Sequence, residues 1–174
     1  MLETVRQDFG APYEIVCETS VRLLDFLVYH RPRTGLEGEF SMEYCMAAAL
    51  VHGQMSLALF TDTSVQDMRL QDLLQRVCLT HPDQDHPDWD TMRPDVVEVV
   101  LHDGRRFQQH VDLPKGNPAL PLTWEELVAK FRDCAAVVLP PELVQEAVQH
   151  ITHLEEFPTL QPLMASLTLA SPVV

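Results

Sequence analysis

The feature that most constrains this fold is a β-hairpin predicted between Val96 and Val111. Alternating apolar residues lie on both sides of Asp103-Gly104, a dipeptide typical of the type I′ turn that joins two antiparallel strands. The period of two places Val97, Val99 and Leu101 on one face of the first strand. An antiparallel sheet is therefore expected to form part of the fold.

Helical patterns dominate the rest of the chain. Helices are expected to begin at capping residues or at a proline pair, namely at Ser20, Ser41, Asp67, Thr123 and Pro140-Pro141. Gly53 is expected to end the helix that Ser41 begins. Helices and strands are segregated along the chain, which is typical of the α+β class. We predict a single α+β domain, in which several helices pack on a small antiparallel sheet with the hairpin at its centre.

The same patterns predict the boundaries of the other elements. They indicate a strand over Tyr13 to Thr19, a helix over Val21 to His30, a loop from Arg31 to Phe40 and a helix from Asp67 to Val77. The segment from His81 to Pro94 is rich in Asp and Pro and is predicted to be a loop.

The charge balance limits the partners of this protein. The chain of 174 residues has 12 Lys and Arg against 26 Asp and Glu, which gives a net charge of -14. A field of this sign repels phosphate backbones and anionic lipid, so we expect no nucleic acid and no membrane among the partners. No window approaches the roughly 18 consecutive apolar residues of a membrane-spanning helix. A small polyanionic ligand would need a local basic pocket.

The cysteines are scattered along the chain and form no CxxC pair; they are Cys17, Cys45, Cys78 and Cys134. They fall in apolar helix-like or strand-like runs, which favours buried free thiols over a disulfide framework. Residues 1–10 are charged and lack the apolar run of a signal peptide. We therefore expect a reducing compartment and a cytoplasmic location.

A candidate anion site lies around the predicted loop after His30. Arg31, Arg33 and Thr34 are in this loop, and Ser41 is at the N-terminus of the next helix. Guanidinium groups bind carboxylates in a bidentate manner, and a helix N-terminus offers free N–H groups. The alternative is a solvated loop with an ordinary N-cap, which the residues alone favour because arginine is common in loops.

Two further residues have chemistry of interest. Tyr44 is placed about one turn into the helix that begins at Ser41, where its hydroxyl could donate to a ligand oxygen or transfer a proton. The alternative is a core aromatic residue with a satisfied hydroxyl, which periodicity alone favours. Lys115 lies in a predicted turn and is a candidate anion contact.

Metal-ligand chemistry is present in two places. One predicted loop holds His81, Asp83, Asp85, His86, Asp88 and Asp90. Pro87 occupies a ligand position there and no Gly follows it, so the Ca²⁺ loop of an EF-hand is excluded and a flexible acidic loop is favoured. His150 and His153 are three residues apart on one predicted helix, and we interpret them as partly exposed surface histidines. We predict no metal site.

Three segments, read in order, carry a resemblance to a known family. They are RPRTGLEGEFSMEYCMAAA at residues 31–49, HPDWDTMRPDVVEVVLHDGR at residues 86–105 and DLPKGNPALPLTWEELVAKFRDCAA at residues 112–136. Together they resemble the C-terminal domain of the MmgE/PrpD family, which includes 2-methylcitrate dehydratases, cis-aconitate decarboxylases and iminodisuccinate epimerases. The similarity runs from about Tyr13 to Leu167.

The resemblance implies a division of labour between two domains. In the family a large all-helical domain supplies most catalytic residues, and a smaller α+β domain acts as a lid over the same cleft. The tyrosine of the F-S-x-x-Y motif faces the substrate and matches Tyr44, which is the candidate catalytic residue. Arg31, Arg33, Thr34 and Ser41 are candidate substrate-binding residues, because this loop approaches the cleft in the family.

Two departures from the family pattern matter. Glu39 stands where many members have Lys before the F-S pair, and the helical domain with its junction motif has no counterpart before Tyr13. Lys115 remains a candidate substrate contact.

The resemblance implies the C-terminal domain or split subunit of a lyase or isomerase that acts on a small carboxylic acid without a cofactor. Such a chain would need a helical-domain partner chain for turnover. The second hypothesis is a stand-alone binding or dimerisation module descended from the lid, and we expect a homo-oligomer. The third is an unrelated enzyme with a metal in its acidic loop.

Overall fold

The computed structural model describes residues 13–81 and 94–168. Helices and a four-stranded sheet occur in this part of the chain, so the predicted α+β class is confirmed. The chain divides into two compact units, Met1–Leu120 and Pro121–Val174. The predicted loop from His81 to Pro94 lies almost wholly outside the described residues.

The first unit contains the sheet. Its strands are β1 (Glu14–Glu18), β2 (Val77–Thr80), β3 (Asp95–Val100) and β4 (Arg106–Val111). Its helices are α1 (Val21–Leu24), α2 (Gly35–Glu39), α3 (Met42–His52), α4 (Asp62–Val65) and α5 (Met68–Leu74), with a short 3-10 turn at Leu57–Leu59.

The strand order is β2-β1-β3-β4, and the predicted hairpin supplies β3 in the interior of the sheet and β4 at its edge. β1 pairs antiparallel with β3, in agreement with the predicted antiparallel sheet. The sheet is nevertheless mixed, because β2 pairs parallel with β1 and Ile15 lies opposite Val77. The helices α1 to α5 form the crossover that a parallel connection requires, so the prediction of a purely antiparallel sheet is corrected for β2.

The hairpin turn differs in type from the prediction. A type I′ turn needs positive φ at both central residues, but among the described residues only glycines have positive φ, with Gly104 at 85°. The Gly104 amide donates to the Leu101 carbonyl at 3.0 Å, and the Leu101 amide donates to the Arg105 carbonyl at 2.9 Å. This is a three-residue loop with glycine in the left-handed position, and its geometry still requires Gly104.

The core of the first unit lies between the sheet and the helices. Its buried members are Ile15, Tyr44, Ala47, Ala48, Leu50, Val65, Leu70, Leu73, Leu74, Val99 and Leu101. The α3 helix is the centre of this core and packs against α5 and β2. Its small residues Ala47 and Ala48 are fully buried, which allows the neighbouring backbones to approach closely.

Ser41 caps α3 and Gly53 ends it with φ at 78°, as predicted. The helix predicted over Val21 to His30 stops at Leu24, because the chain is drawn into a tertiary contact in which the Tyr29 amide donates to the Phe40 carbonyl at 3.2 Å. The predicted loop from Arg31 to Phe40 contains α2. Val77 lies in β2 and not in the preceding helix, because pairing with β1 overrides local helical spacing.

The second unit is helical in its described part. Its elements are α6 (Trp124–Ala135), α7 (Pro141–Thr152), a 3-10 turn at Leu154–Glu156 and α8 (Gln161–Ser166). The predicted capping box of α6 is present: the Glu126 amide donates to Thr123 Oγ1, and the Thr123 amide donates to the Glu126 carboxylate. No residue of α6 is buried, although its apolar residues form a regular stripe.

The four cysteines are all free, but only Cys17 is buried. Burial raises the pKa of the Cys17 and Cys45 thiols to about 11, and nearby Asp95 and Glu43 add to the shift at Cys17. The expectation of buried thiols is wrong for Cys78 and Cys134, which are exposed. Cys78 alternates away from the core face of β2, and Cys134 lies on the helix that buries no residue.

No helix in residues 13–81 or 94–168 combines the length and apolar character needed to cross a membrane.

Candidate functional site

The candidate site is built on the stretch from Arg31 to Tyr44, called here the 31–44 segment. Its middle is α2, which approaches the backbone near Phe60 so closely that a Cβ at Gly35 would lie 2.0 Å from the Phe60 carbonyl oxygen. The Gly35 amide donates to Asp62 Oδ1 at 2.8 Å. Only glycine fits this contact, so Gly35 fixes the segment against the core.

Gly38 performs the same role one turn later. A Cβ there would lie 2.9 Å from the Val65 side chain and 3.2 Å from the ring of Tyr44. The Gly-Leu-Glu-Gly spacing therefore lets α2 lie against the two helices that carry Tyr44 and Val65. This close packing holds the segment in one position relative to α3.

Tyr44 is fully buried, and its hydroxyl donates to the Leu59 carbonyl. Its ring meets Phe60 edge to face, with centroids 6.0 Å apart. Burial raises the pKa of Tyr44 to about 12, and the charges of Cys45 and Asp67 add to this shift. The hydroxyl is thus a persistent donor, and its predicted catalytic role requires that it leave Leu59 for a ligand.

The hydroxyls of Thr34 and Ser41 cap the two helices of the segment. Thr34 Oγ1 accepts from the Glu37 amide at 3.3 Å, and Ser41 Oγ accepts from the Tyr44 amide at 3.2 Å. Ser41 is completely buried, whereas Thr34 is exposed. Their predicted substrate contacts stay predictions, and the structure assigns both hydroxyls to the backbone geometry of the segment.

Arg31 and Arg33 are the exposed cations of the segment. Arg33 lines a shallow depression of about 370 Å³ together with Pro32, Gln66 and Gln71. Side-chain amides anchor this backbone, because Gln66 Nε2 donates to the Arg33 carbonyl at 2.9 Å and Gln71 Nε2 donates to the Pro32 carbonyl at 3.3 Å. Neither guanidinium forms an ion pair with a residue that the structure describes.

The structure brings some of the predicted residues together and separates others. Arg33 lines the depression. Ser41 and Tyr44 are buried and are not among the residues that line the depression. Lys115 is exposed in the loop after β4 and does not line the depression either. Gln66 and Gln71 were missed by sequence reasoning, because contacts across more than 30 residues leave no local pattern.

A second pair that sequence reasoning missed is His30 and Glu43. His30 Nδ1 lies 2.7 Å from Glu43 Oε1, and the His30 side chain is 67% exposed while that of Glu43 is 8% exposed. Glu43 Oε2 is buried and has no hydrogen-bond partner among the described residues. An acidic residue in the first turn after Ser41 was the available signal, since it lies near the positive end of the α3 dipole.

No group of three His, Cys, Asp or Glu residues in the described part of the chain could hold a metal ion. The predicted acidic cluster from Asp83 to Asp90 lies outside the described residues. His150 contacts Ser166 Oγ at 3.3 Å, and His153 pairs with Glu156 at 3.3 Å. The two histidines thus have separate partners.

Fold and site together define an α+β domain with a mixed sheet, in which a glycine-packed segment presents two arginines at the surface. The chain belongs to the MmgE/PrpD family, because the family model for the MmgE/PrpD C-terminal domain matches residues 3–155. The resemblance seen in the sequence is therefore confirmed.

Curated relatives carry a more specific description. The chain is similar to cis-aconitate decarboxylase of Mus musculus, with 29% identity over 138 residues, which are 78% of this chain and 28% of the relative. The human protein of that name is 26% identical over 136 residues, 78% of this chain and 28% of the relative. That of Aspergillus terreus is 26% identical over 148 residues, 83% of this chain and 30% of the relative. The chain thus matches less than a third of the length of these relatives.

Proposed function

We propose that this chain is the C-terminal domain or a split subunit of a lyase or isomerase of the MmgE/PrpD type. It acts without a cofactor on a di- or tricarboxylic acid such as 2-methylcitrate or cis-aconitate, and it contributes to closure of the substrate cleft. Family membership and the cis-aconitate decarboxylase relatives support the reaction class. A cytoplasmic location is part of the proposal, and the free cysteines support it.

The observation that carries the proposal is the position of Arg33. Its side chain lines an open depression and has no carboxylate partner among the described residues, in a chain with a net charge of -14. An unpaired guanidinium in such a chain is available for a carboxylate of the substrate. Arg31 is the second candidate contact, and Tyr44 is the candidate hydrogen-bond donor or acid.

The second unit supports the need for a helical partner. An apolar groove between α6 and α7 is lined by Trp124, Leu127, Val128, Phe131, Val148 and Ile151. We call this surface the α6–α7 groove. Its occupant in our proposal is the helical domain of a family enzyme, because the matched part is less than a third of the relatives' length. Exposed apolar surface of this kind marks an interaction site.

The test is reconstitution with a helical domain of the family. Mixing the two polypeptides should produce turnover of cis-aconitate or 2-methylcitrate, and neither polypeptide should be active alone. Arg33→Ala should raise the KM for the substrate at least tenfold. Arg106→Ala is the matched control, because this arginine is also exposed but already pairs with Glu98. A mixture without turnover on either acid contradicts the proposal.

The alternative is a stand-alone binding or dimerisation module, and the exposed α6–α7 groove is the observation that favours it. In that case the isolated chain should form a homo-oligomer in sizing experiments and should be stabilised by a small carboxylic acid in thermal melts. A monomer with no ligand-induced shift in Tm contradicts the alternative.

A further inference from the structure

We propose that His30 is an acid–base residue of this protein and that Glu43 is its positioning residue. This inference rests on the proposed function, since it assigns His30 to proton transfer on the carboxylic acid bound at the 31–44 segment. Neither residue is among the candidate site residues that the sequence analysis named, which include the motif tyrosine Tyr44 and the arginines Arg31 and Arg33.

His30 and Glu43 are joined by a short side-chain contact. Glu43 Oε1 and His30 Nδ1 are 2.7 Å apart, which is a short charge-assisted hydrogen bond. We assign Glu43 as the carboxylate, which accepts but does not donate, so the proton of this contact belongs to Nδ1 of His30. The neutral ring then has its lone pair on Nε2, the nitrogen that a general base uses.

The side chains of His30 and Glu43 differ in exposure. Glu43 is held in the first turn of α3 with only 8% of its side chain exposed, while 67% of the His30 side chain is exposed. A buried carboxylate that orients an accessible imidazole is the arrangement in which histidine acts as a general base. A surface ion pair without such a role would have both partners in water, as His153 and Glu156 do with 56% and 69% exposure.

The second carboxylate oxygen of Glu43 differs from the first in its hydrogen bonding. Glu43 Oε2 is buried without a hydrogen-bond partner among the described residues, and such an atom is costly to keep in a folded protein. Fold stability alone gives no reason for a carboxylate at position 43, because only one of the two Glu43 oxygens has a hydrogen-bond partner among the described residues. The carboxylate has a reason to be there if it stabilises the imidazolium that forms when His30 takes up a proton.

The pair lies next to candidate site residues in the sequence. His30 directly precedes Arg31, and Glu43 lies within the 31–44 segment directly before Tyr44, so the pair joins the residue before the segment to the helix at its end. A carboxylic acid bound by Arg31 would therefore be held by the residue that follows the oriented imidazole in the chain.

The proposed step moves one proton between the substrate and His30. Nε2 of neutral His30 takes the proton from a carbon next to a substrate carboxylate, and the electron pair of the broken C–H bond stays on the substrate. The imidazolium that results is paired with the Glu43 carboxylate through Nδ1. In the reverse direction Nε2 returns the same proton to carbon.

Two measurements test the inference. In the isolated chain, diethyl pyrocarbonate should acylate His30 at Nε2, and Glu43→Gln should slow this reaction severalfold by removing the charge that makes the ring nucleophilic. Glu156→Gln is the matched control and should leave the rate at His30 unchanged. An unchanged rate at His30 in Glu43→Gln, read by mass spectrometry of each histidine, overturns the assignment of Glu43.

The second measurement uses the reconstituted enzyme. His30→Asn should lower kcat at least tenfold with little change in KM, whereas His153→Asn should leave both constants unchanged. A wild-type mixture that turns over while His30→Asn retains its full kcat overturns the inference and leaves the proposed function intact. A wild-type mixture without turnover is instead the failure of the proposed function.

Discussion

The two units of this chain bury their apolar residues to different extents. In the first unit the core residues come from the sheet and from three helices, and Tyr44, Val65 and Leu70 are at most 1% exposed. In the second unit α6 has a regular apolar stripe but buries none of it. An amphipathic pattern therefore indicates which face of a helix is apolar, but it does not indicate which partner buries that face.

The largest expected effect is a difference in stability loss between a core substitution in the first unit and a substitution in α6. Leu70→Ala should lower the free energy of unfolding of the isolated chain by about 2–5 kcal/mol, because it leaves a cavity among buried residues. Leu127→Ala should change it by less than about 0.5 kcal/mol, because Leu127 is already 44% exposed. Urea unfolding measures both, and equal losses would contradict the contrast.

The second effect concerns the packing of the 31–44 segment. Gly35→Ala should destabilise the first unit by about 1–3 kcal/mol, because its methyl group would overlap the Phe60 carbonyl. Leu36→Ala is the neighbouring control, since Leu36 is exposed on the outer side of α2. A Gly35→Ala variant as stable as this control in urea unfolding would show that α2 does not approach the core so closely.

The third effect is a loss of stability at alkaline pH. The pKa of Tyr44 is raised from 10.0 to about 12, and those of Cys17 and Cys45 are raised from 9.0 to about 11. A raised pKa means that the unfolded chain loses these protons first, so their contribution is complete below pH 9 and is lost between about pH 9 and 12.

Thermal melts across this pH range should therefore show a falling Tm. Tyr44→Phe should reduce the fall above pH 10 and remove the part above about pH 11, where Cys17 and Cys45 no longer contribute, and Cys78→Ser, at an exposed cysteine, should leave the curve unchanged. A Tm that falls equally in the wild type and in Tyr44→Phe above pH 10 would show that Tyr44 is not buried as described.

The smallest effect is local to α6. Thr123→Ala removes the hydroxyl of the capping box and should cost about 1 kcal/mol in the stability of α6. Faster hydrogen exchange of amides in the first turn of α6 would report the change, and the strands of the first unit should not respond. Thr123→Ser retains the hydroxyl and should behave as the wild type.

The sequence predicted features that depend on residues close to one another in the chain. The caps at Ser41 and Thr123, the left-handed Gly53 and the Asp103-Gly104 hairpin all belong to this group. Each depends on contacts within about four residues, so the local pattern contains the information. The mistaken type of the hairpin turn is a difference of one residue in loop length.

Features that depend on distant contacts were missed. The parallel strand β2, the early end of α1 and the exposure of Cys78 are all decided by pairing or packing with remote segments. In the candidate site, the chemistry of Arg33 together with the family resemblance made this residue a candidate, whereas the anchoring amide of Gln66 was not predicted. The arginine has a recognisable function, whereas a glutamine has many structural uses.

The most direct test of the account is the affinity of this chain for a helical domain of the family. Titration calorimetry should detect a complex with the wild type. Leu127→Asp in the α6–α7 groove should weaken it at least tenfold, because the groove would have to bury a charge. Leu160→Asp, at an exposed leucine that does not line the groove, should bind as the wild type. Absence of a wild-type complex, or equal binding by Leu127→Asp, would contradict the account.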